Sequence, residues 1–381
     1  MTRVTIVQPS LAKYRVPVYR ALAQRPGIEL QVVYAESTGI PNVAPEGFAA
    51  NLYPLHLVRI GPGHMLWHGA QVNHATREHC DVLILSWDVH YASLIPALLR
   101  AKANGVSTIL WGHGYSKRER PWRAWLRQIP ARLSDTLLFY SEKPARAYVD
   151  KYGFEQRCVV VAPNALDQTA IATARVAWLG MPDEMTRFKE ANGLVGKRTI
   201  LFCSRLDKAN RVDLLLRATA EIRRTIQDVC LLIVGSGEAE ADLRCLAEEL
   251  NLGEHIRFVG ATYDEMALAP WFLSADVFCY PENVGLSLLH AFGYGLPVVT
   301  SDRLDAQNPE IEALRPNQNG LLYRHGDFMA LVGTLSELLA NNTLRNALSR
   351  DAQRTVKEEF SLERMVDGFE KAIGLSVKRR N

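Results

Sequence analysis

The stretch Leu231-Leu232-Ile233-Val234-Gly235-Ser236-Gly237, followed by Glu238-Ala239-Glu240-Ala241-Asp242-Leu243, reads as a strand that ends in Gly-x-Gly and turns into a helix. Four apolar residues in a row suit a strand covered on both faces. The glycines permit close backbone approach, and the unpaired N–H groups of a helix start suit an anion. A dinucleotide fingerprint needs glycine or alanine at position 240, where Glu240 stands, so nicotinamide binding is not expected.

Outward from this unit the same alternation of short apolar runs and helical segments fills the chain. Strands are expected at residues 4–7, 30–34, 82–85, 108–111, 136–140 and 159–162, then at 199–203, 230–234, 256–259, 277–280 and 297–300. Each run is bounded by Gly, Pro or Ser and separated by enough chain for a crossover helix, the pattern of a parallel sheet covered on both faces. The pattern restarts after a polar, glycine-containing segment at 181–197, which reads as a linker. A chain of 381 residues exceeds one ordinary core, so two tandem doubly wound α/β domains are expected, with ligands outside the carboxyl ends of the strands and an interdomain cleft. The expected boundaries are 1–183 for the first domain and 184–363 for the second. A C-terminal helix and tail follow at 364–381, with Met365, Val366, Phe369 and Ile373 at helical spacing and a return to the first domain as one course for it.

Apolar residues make up 48% and charged residues 22%, which excludes a disordered or low-complexity chain. No run is long and apolar enough for a membrane span, and the N-terminus does not read as a secretory signal. Six scattered cysteines with no Cys-x-x-Cys pair indicate neither a zinc site nor a disulfide framework, and a cytoplasmic setting is expected. The net charge of +3 is unevenly spread: residues 1–190 hold 22 Lys/Arg and 15 Asp/Glu, residues 191–381 hold 22 and 26. A basic half beside an acidic half points to an anionic partner for one of them.

Three strand ends carry candidate chemistry. Tyr280-Pro281-Glu282-Asn283-Val284-Gly285-Leu286 delivers a carboxylate and then opens a helix on which His290 lies; Gly285 leaves room for a phosphate and Glu282 suits hydroxyls, or is a charged loop residue. Ser204-Arg205-Leu206-Asp207-Lys208-Ala209-Asn210-Arg211 puts three cations at a strand end, as a diphosphate site requires, or forms a solvated loop. Trp111-Gly112-His113-Gly114 sets a histidine between glycines, where it faces the cleft or is a structural histidine. Beside it, residues 116–133 carry Lys117, Arg118, Arg120, Arg123, Arg127 and Arg132, with Trp122, Trp125, Leu126, Ile129 and Leu133 as an apolar stripe. A helix packing that stripe on the sheet is the first expectation. The alternative is a peripheral helix on an anionic membrane surface, at the inner face of the membrane. His64 and His68 lack an intervening acid, and no metal site is expected. The absence of any Asp-x-Asp pair argues against diphosphate held through a carboxylate-bound metal, and nothing indicates nucleic acid.

Taken in order, residues 139–142 and 161–167, Ser204-Arg205-Leu206, Val234-Gly235-Ser236-Gly237, Phe258-Val259-Gly260, residues 291–299 and Asn319-Gly320-Leu321-Leu322 resemble the family 4 retaining glycosyltransferases of GT-B fold. The resemblance implies two Rossmann-like domains facing a cleft, donor nucleotide sugar (UDP- or GDP-linked) on the second and acceptor on the first, with no cofactor or metal. The acceptor class is a glycan, a lipid-linked or a small molecule. Glu282 matches the first glutamate of the family's Glu-x7-Glu motif, which holds the donor sugar. His290 replaces the second, which holds ribose, as in a polysaccharide-assembly subgroup that this pattern resembles; it is a ribose contact or a packed histidine. Arg205 matches the family arginine of the phosphate clamp. The usual lysine position falls on Asn210, leaving Lys208 or Arg211 as second cation. The resemblance further implies donor contacts from Ser204, Gly235, Gly237, Val259, Asn283, Gly285 and Leu286, and a place for His113 near the donor sugar. A non-catalytic sugar-nucleotide-binding protein or a sugar-nucleotide epimerase is the alternative.

Overall fold

The computed structural model describes residues 1–36, 41–60, 63–116 and 121–378, which divide into Met1–Asn164 with Leu362–Asn381, and Ala165–Ser361. The first unit runs β1 (Thr2–Gln8), α1 (Val16–Ala23), β2 (Ile28–Tyr34), β3 (Ala49–Leu52), β4 (Leu55–Ile60), β5 (Gly63–His68) and α2 (Gly69–Asn73). It continues with β6 (Val82–Ser86), α3 (Leu94–Ala103), β7 (Ser107–Gly112), α4 (Pro121–Leu133), β8 (Thr136–Phe139), α5 (Glu142–Asp150) and β9 (Val159–Val161). Seven strands form one parallel sheet in the order β3-β2-β1-β6-β7-β8-β9, so the chain winds outward one way from β1 and the other way from β6. The central strands β6 and β7 are buried almost throughout and mostly apolar, as strands covered on both faces are. Sequence patterning missed β3, a four-residue edge strand with mostly exposed side chains, and the antiparallel pair β4–β5, which stands outside the main sheet.

The second unit runs α6 (Thr169–Leu179), α7 (Pro182–Ala191), β10 (Arg198–Cys203), α8 (Val212–Ile222), β11 (Val229–Val234), α9 (Glu240–Glu249), β12 (Ile256–Gly260) and α10 (Glu265–Leu273). Then come β13 (Val277–Cys279), α11 (Leu286–Tyr294), β14 (Val298–Ser301), β15 (Gly320–Tyr323), α12 (Phe328–Ala340) and α13 (Asn342–Glu358). Its six parallel strands lie in the order β12-β11-β10-β13-β14-β15, with the reversal between β10 and β13.

Two boundaries differ from the sequence expectation. The segment 181–197 is no open linker: Pro182 sits in the first turn of α7 with Asp183 and Glu184, which favour the positive end of a helix. Phe188 of α7 meets Trp178 and Trp271 edge-on, with ring centroids at 5.9 and 4.8 Å. The units therefore divide at Asn164/Ala165 instead of 183/184, because Ile171 and Ala174 of α6 are buried in the second core.

The last helix, α14 (Leu362–Lys378), belongs to the first unit. Met365, Val366, Phe369 and Ile373 are buried. Phe369 meets Trp111 at 4.7 Å, edge to face, and a β-carbon at Gly368 would lie 2.6 Å from that of Ala162. The terminal Arg379, Arg380 and Asn381 lie outside the described residues.

His68 ends β5 and is buried, and burial lowers its pKa from 6.5 to about 4. The folded state thus favours the neutral ring, so this stability is present above pH 6.5 and is lost as pH falls through about 4. At ~1.4 kcal/mol per pKa unit the full effect is on the order of 3 kcal/mol. Urea unfolding followed from pH 7 to pH 4.5 is expected to show falling stability in wild type and a flatter profile in His68→Gln.

Candidate functional site

In an open parallel sheet the crevice for ligands lies at the carboxyl ends of the strands where the order reverses. In the second unit that point is β10/β13. The loop after β10 holds Ser204 and Arg205, and the segment after β13 holds Tyr280, Pro281 and Glu282, so the topology brings the expected arginine and glutamate segments to one crevice. The Tyr280 hydroxyl donates to Ser204 Oγ at 3.2 Å, and burial pushes the Tyr280 pKa up to about 12, which keeps it a donor.

The loop is seated by backbone. Leu206 N–H donates to Ser236 C=O at 3.0 Å, Ala239 N–H to Leu206 C=O at 2.9 Å, and Ser204 N–H to Val234 C=O at 3.0 Å. A β-carbon on Gly235 would overlap the Ser204 carbonyl, and one on Gly237 would lie 2.7 Å from Leu206 N and O. The close approach that these two glycines permit is that of the Ser204–Leu206 backbone, and Gly235 N–H is bonded to Gly260 C=O at 2.8 Å. Val259 precedes that carbonyl in β12 and is half-buried against the core.

A relay of asparagine side chains joins the loops. Asn210, buried, donates through Nδ2 to Arg205 C=O at 2.7 Å and accepts at Oδ1 from Asn283 Nδ2 at 3.0 Å. Asn283, at a φ of 67°, in turn accepts at its carbonyl from Asn308 Nδ2 at 3.0 Å. Buried Gln307 accepts from Val284 N–H at 2.7 Å and donates to Ser301 Oγ at 3.0 Å. Asn308 also lies 3.2 Å from where a Gly285 β-carbon would stand. The position at which the family pattern has lysine is thus a structural amide here. Gln307 and Asn308 escaped the sequence reading because nothing in their spacing marks them.

The three cations stand differently. Arg205 is mostly exposed and pairs with Asp207 at 3.5 Å; Lys208, equally exposed, pairs with Asp242 at 3.5 Å. Arg211 adopts the left-handed conformation before α8 and makes two hydrogen bonds to Asp213, at 3.0 and 3.1 Å. That carboxylate holds the guanidinium pKa above its ordinary value. Glu282 is largely buried and lies 3.1 Å from His325 Nδ1, a partner that no motif announced. Leu286 opens α11, and of the first N–H groups of the helix that of Leu288 donates to Gly285 C=O at 2.9 Å. His290, one turn further on, meets Glu265 of α10 and stacks on Phe272 at 4.5 Å.

In the first unit His113 is exposed at the end of β7, 4.8 Å from the Tyr140 ring. Its flanking glycines are required by packing: a β-carbon on Gly112 would meet Trp87 Cβ at 2.8 Å, and Gly114, at a φ of 69°, lies against Phe139. Arg15, unforeseen, is buried with its guanidinium 4.5 Å from the Trp111 ring centre and 5.0 Å from that of Tyr140. A cavity of about 720 Å³ lies beside Glu36, Tyr53, His56 and Tyr91, at the β2 and β3 ends.

The expectation that α4 packs its apolar stripe on the sheet holds at Leu133, which lies against the core, and is overturned in the first half of the helix. Trp122, Trp125 and Leu126 are 54%, 63% and 41% exposed, whereas Arg127, Pro130 and Ala131 are buried. Lys117, Arg118, Glu119 and Arg120 lie outside the described residues.

Two parallel-sheet units of this kind, with the crevice of the second framed by a cationic loop, a helix start and a carboxylate, define a protein of GT-B fold. Residues 184–355 match the family model described as glycosyl transferases group 1. The chain is 40% identical over 153 residues to a phosphatidyl-myo-inositol mannosyltransferase of Mycobacterium leprae, covering 39% of each chain. It is 32% identical over 172 residues to a GDP-mannose-dependent alpha-(1-6)-phosphatidylinositol monomannoside mannosyltransferase of Mycolicibacterium smegmatis, covering 42% of this chain and 43% of the relative. The matches therefore span about two-fifths of these relatives. The structure resembles Anabaena HepE in complex with UDP, with a TM-score of 0.74 over 98% of this chain and 100% of that one; at 14% identity this likeness shows the fold alone.

Because a β-carbon at Gly237 would strike the Leu206 backbone at its N, C and O atoms, Gly237→Ala is expected to cost about 1–3 kcal/mol, as overpacking does. Urea unfolding measures this, and Gly333→Ala, at a backbone conformation open to any residue and with nothing near its β-carbon, is the clash-free control.

Proposed function

We propose that the chain is a retaining glycosyltransferase that moves a hexose from a UDP- or GDP-linked donor to a hydroxyl of a glycan or lipid-linked acceptor, without a metal. The observation that carries this reading is the arrival of Arg205, the start of α11 and Glu282 at the β10/β13 strand ends. Diphosphate leaves with growing negative charge, and a fixed cation with helix N–H groups stabilises that charge most in the transition state. Arg205 is the clamp's main cation, with Lys208 as its partner, since Arg211 is committed to Asp213. Glu282, held by His325, binds donor-sugar hydroxyls. In a retaining reaction the acceptor hydroxyl approaches from the leaving-group side, and a phosphate oxygen takes its proton. The nucleotide-facing contacts we assign to Ser204, Asn283, Gly285, Leu286 and His290, and acceptor recognition to the first unit with His113. The non-catalytic alternative rests on His290 and Asn210, and the relay gives Asn210 a structural task.

Glu282→Ala and Arg205→Ala are each expected to lower transfer at least ~100-fold with unchanged unfolding curves, the scale of one lost transition-state contact. Radiolabelled donor transfer to a lipid extract measures this, and undiminished turnover in both variants refutes the site.

The relatives' named phosphatidylinositol acceptors and the exposed tryptophans of α4 support work at a membrane surface. Ile95 and Leu99 of neighbouring α3 are also exposed, with Arg100 and Arg123 nearby in sequence. Tryptophans flanked by cations suit an anionic lipid surface. Wild type is expected to co-sediment with phosphatidylglycerol vesicles, and a Trp122→Ser/Trp125→Ser variant to remain in the supernatant; equal distribution of the two refutes this.

A further inference from the structure

His290 is held on three sides. Its Nε2 lies 2.8 Å from Glu265 Oε1, the Tyr294 hydroxyl donates to that same oxygen at 2.6 Å, and the ring stacks on Phe272 at an interplanar angle of 26°. A carboxylate only accepts, so Nε2 carries the proton. In the neutral ring Nδ1 is then the unprotonated nitrogen. Among the described residues no hydrogen bond reaches Nδ1, and the side chain keeps 15% exposure. The group is close to the crevice: Glu265 acts electrostatically on Cys203, the last residue of β10 before Ser204, and His290 lies one turn beyond Leu286.

A hydroxyl needs an acceptor for its proton, and a ribose diol is commonly read by a carboxylate for that reason. A histidine does the same work only when the nitrogen facing the ligand is bare. We propose that Glu265 is a positioning residue: by accepting from His290 Nε2–H it makes Nδ1 an acceptor for a ribose hydroxyl of the bound nucleotide. The second bond, from Tyr294, fixes the rotamer of Glu265, and Phe272 fixes the ring plane. The carboxylate is thus retained in the site, one residue removed from the ligand and on a different helix. This rests on the nucleotide-sugar reading above.

The test measures affinity of the full chain for UDP and GDP and for their 2′-deoxy and 3′-deoxy forms by titration calorimetry. Wild type is expected to bind one ribonucleotide at least about tenfold more tightly than one of its deoxy forms, as a site built around a hydroxyl does. Glu265→Leu is expected to bring that ratio to within about threefold while keeping the deoxy form's affinity, and Glu265→Gln, whose carbonyl still accepts from both partners, to retain it. An unchanged ratio in Glu265→Leu, or equal loss in Glu265→Gln, overturns the assignment. Should Glu265→Leu not fold, the wild-type imidazole decides: long-range nitrogen–proton spectra are expected to show the proton on Nε2, and a proton on Nδ1 overturns it. If wild type binds neither UDP nor GDP, the donor reading itself fails and takes this assignment with it.

Discussion

The second unit depends on one close approach of backbone to backbone. Two glycines let residues 235–239 lie against residues 204–206, and the bonds between Leu206 and Ser236 and between Ala239 and Leu206 hold them there. Arg205 is therefore placed by its neighbours' main chain, while its own side chain stays largely in solvent. The asparagine relay carries the same constraint onward, from the Arg205 carbonyl through Asn210 and Asn283 to Asn308. A hydrogen bond of this kind contributes about 1 kcal/mol net, but leaving a buried amide unpaired costs about 1–3 kcal/mol. The loops after β10, β13 and β14 thus hold one another, and a fixed backbone is what an anion site needs if the cost of ordering is to fall outside the reaction.

The first unit is completed from the far end of the chain. α14 brings Phe369 against Trp111 and a glycine against Ala162, and Met365 approaches the buried guanidinium of Arg15. Ser107 at the start of β7 donates through its hydroxyl to the Ser376 carbonyl at 3.1 Å. The apolar stripe of α14 is therefore core of a unit whose other residues end at Asn164.

What was legible in the sequence follows from what each signal measures. Buried parallel strands are continuous apolar runs, so β1, β6, β7, β10 and β11 stood out, whereas β3 and β15 are short and the pair β4–β5 lies outside the sheets. Motif order put Arg205 and Glu282 just past strand ends, where the fold has them, because strand ends are punctuated by Gly, Pro and Ser. It could not assign Asn210, read as a missing cation, since its role lies in a backbone carbonyl of its own loop and an asparagine of another. Nor could it find Glu265 or His325, each joined to a motif residue only across the fold. The glycines at 235 and 237 were recognised as sites of close approach, but the approaching group is the protein's own backbone.

Helical periodicity shows the same limit in another form. It tells which residues share a face of α4, not what covers that face. A tryptophan covers roughly 200 Å², so at about 25 cal/mol per Å² leaving half of it in water forgoes about 2–3 kcal/mol. α4 leaves two tryptophans so placed, yet its later part is well seated: Arg127, Pro130 and Ala131 are buried, and Arg132 donates to the Tyr152 carbonyl at 3.1 Å and lies over Phe154. The helix is anchored through its last turns and leaves the tryptophans of its first turns in solvent. The positive excess of the first half of the sequence and the exposed apolar face meet on this one helix, which is why the charge asymmetry acquires a physical meaning only once the direction of the stripe is known.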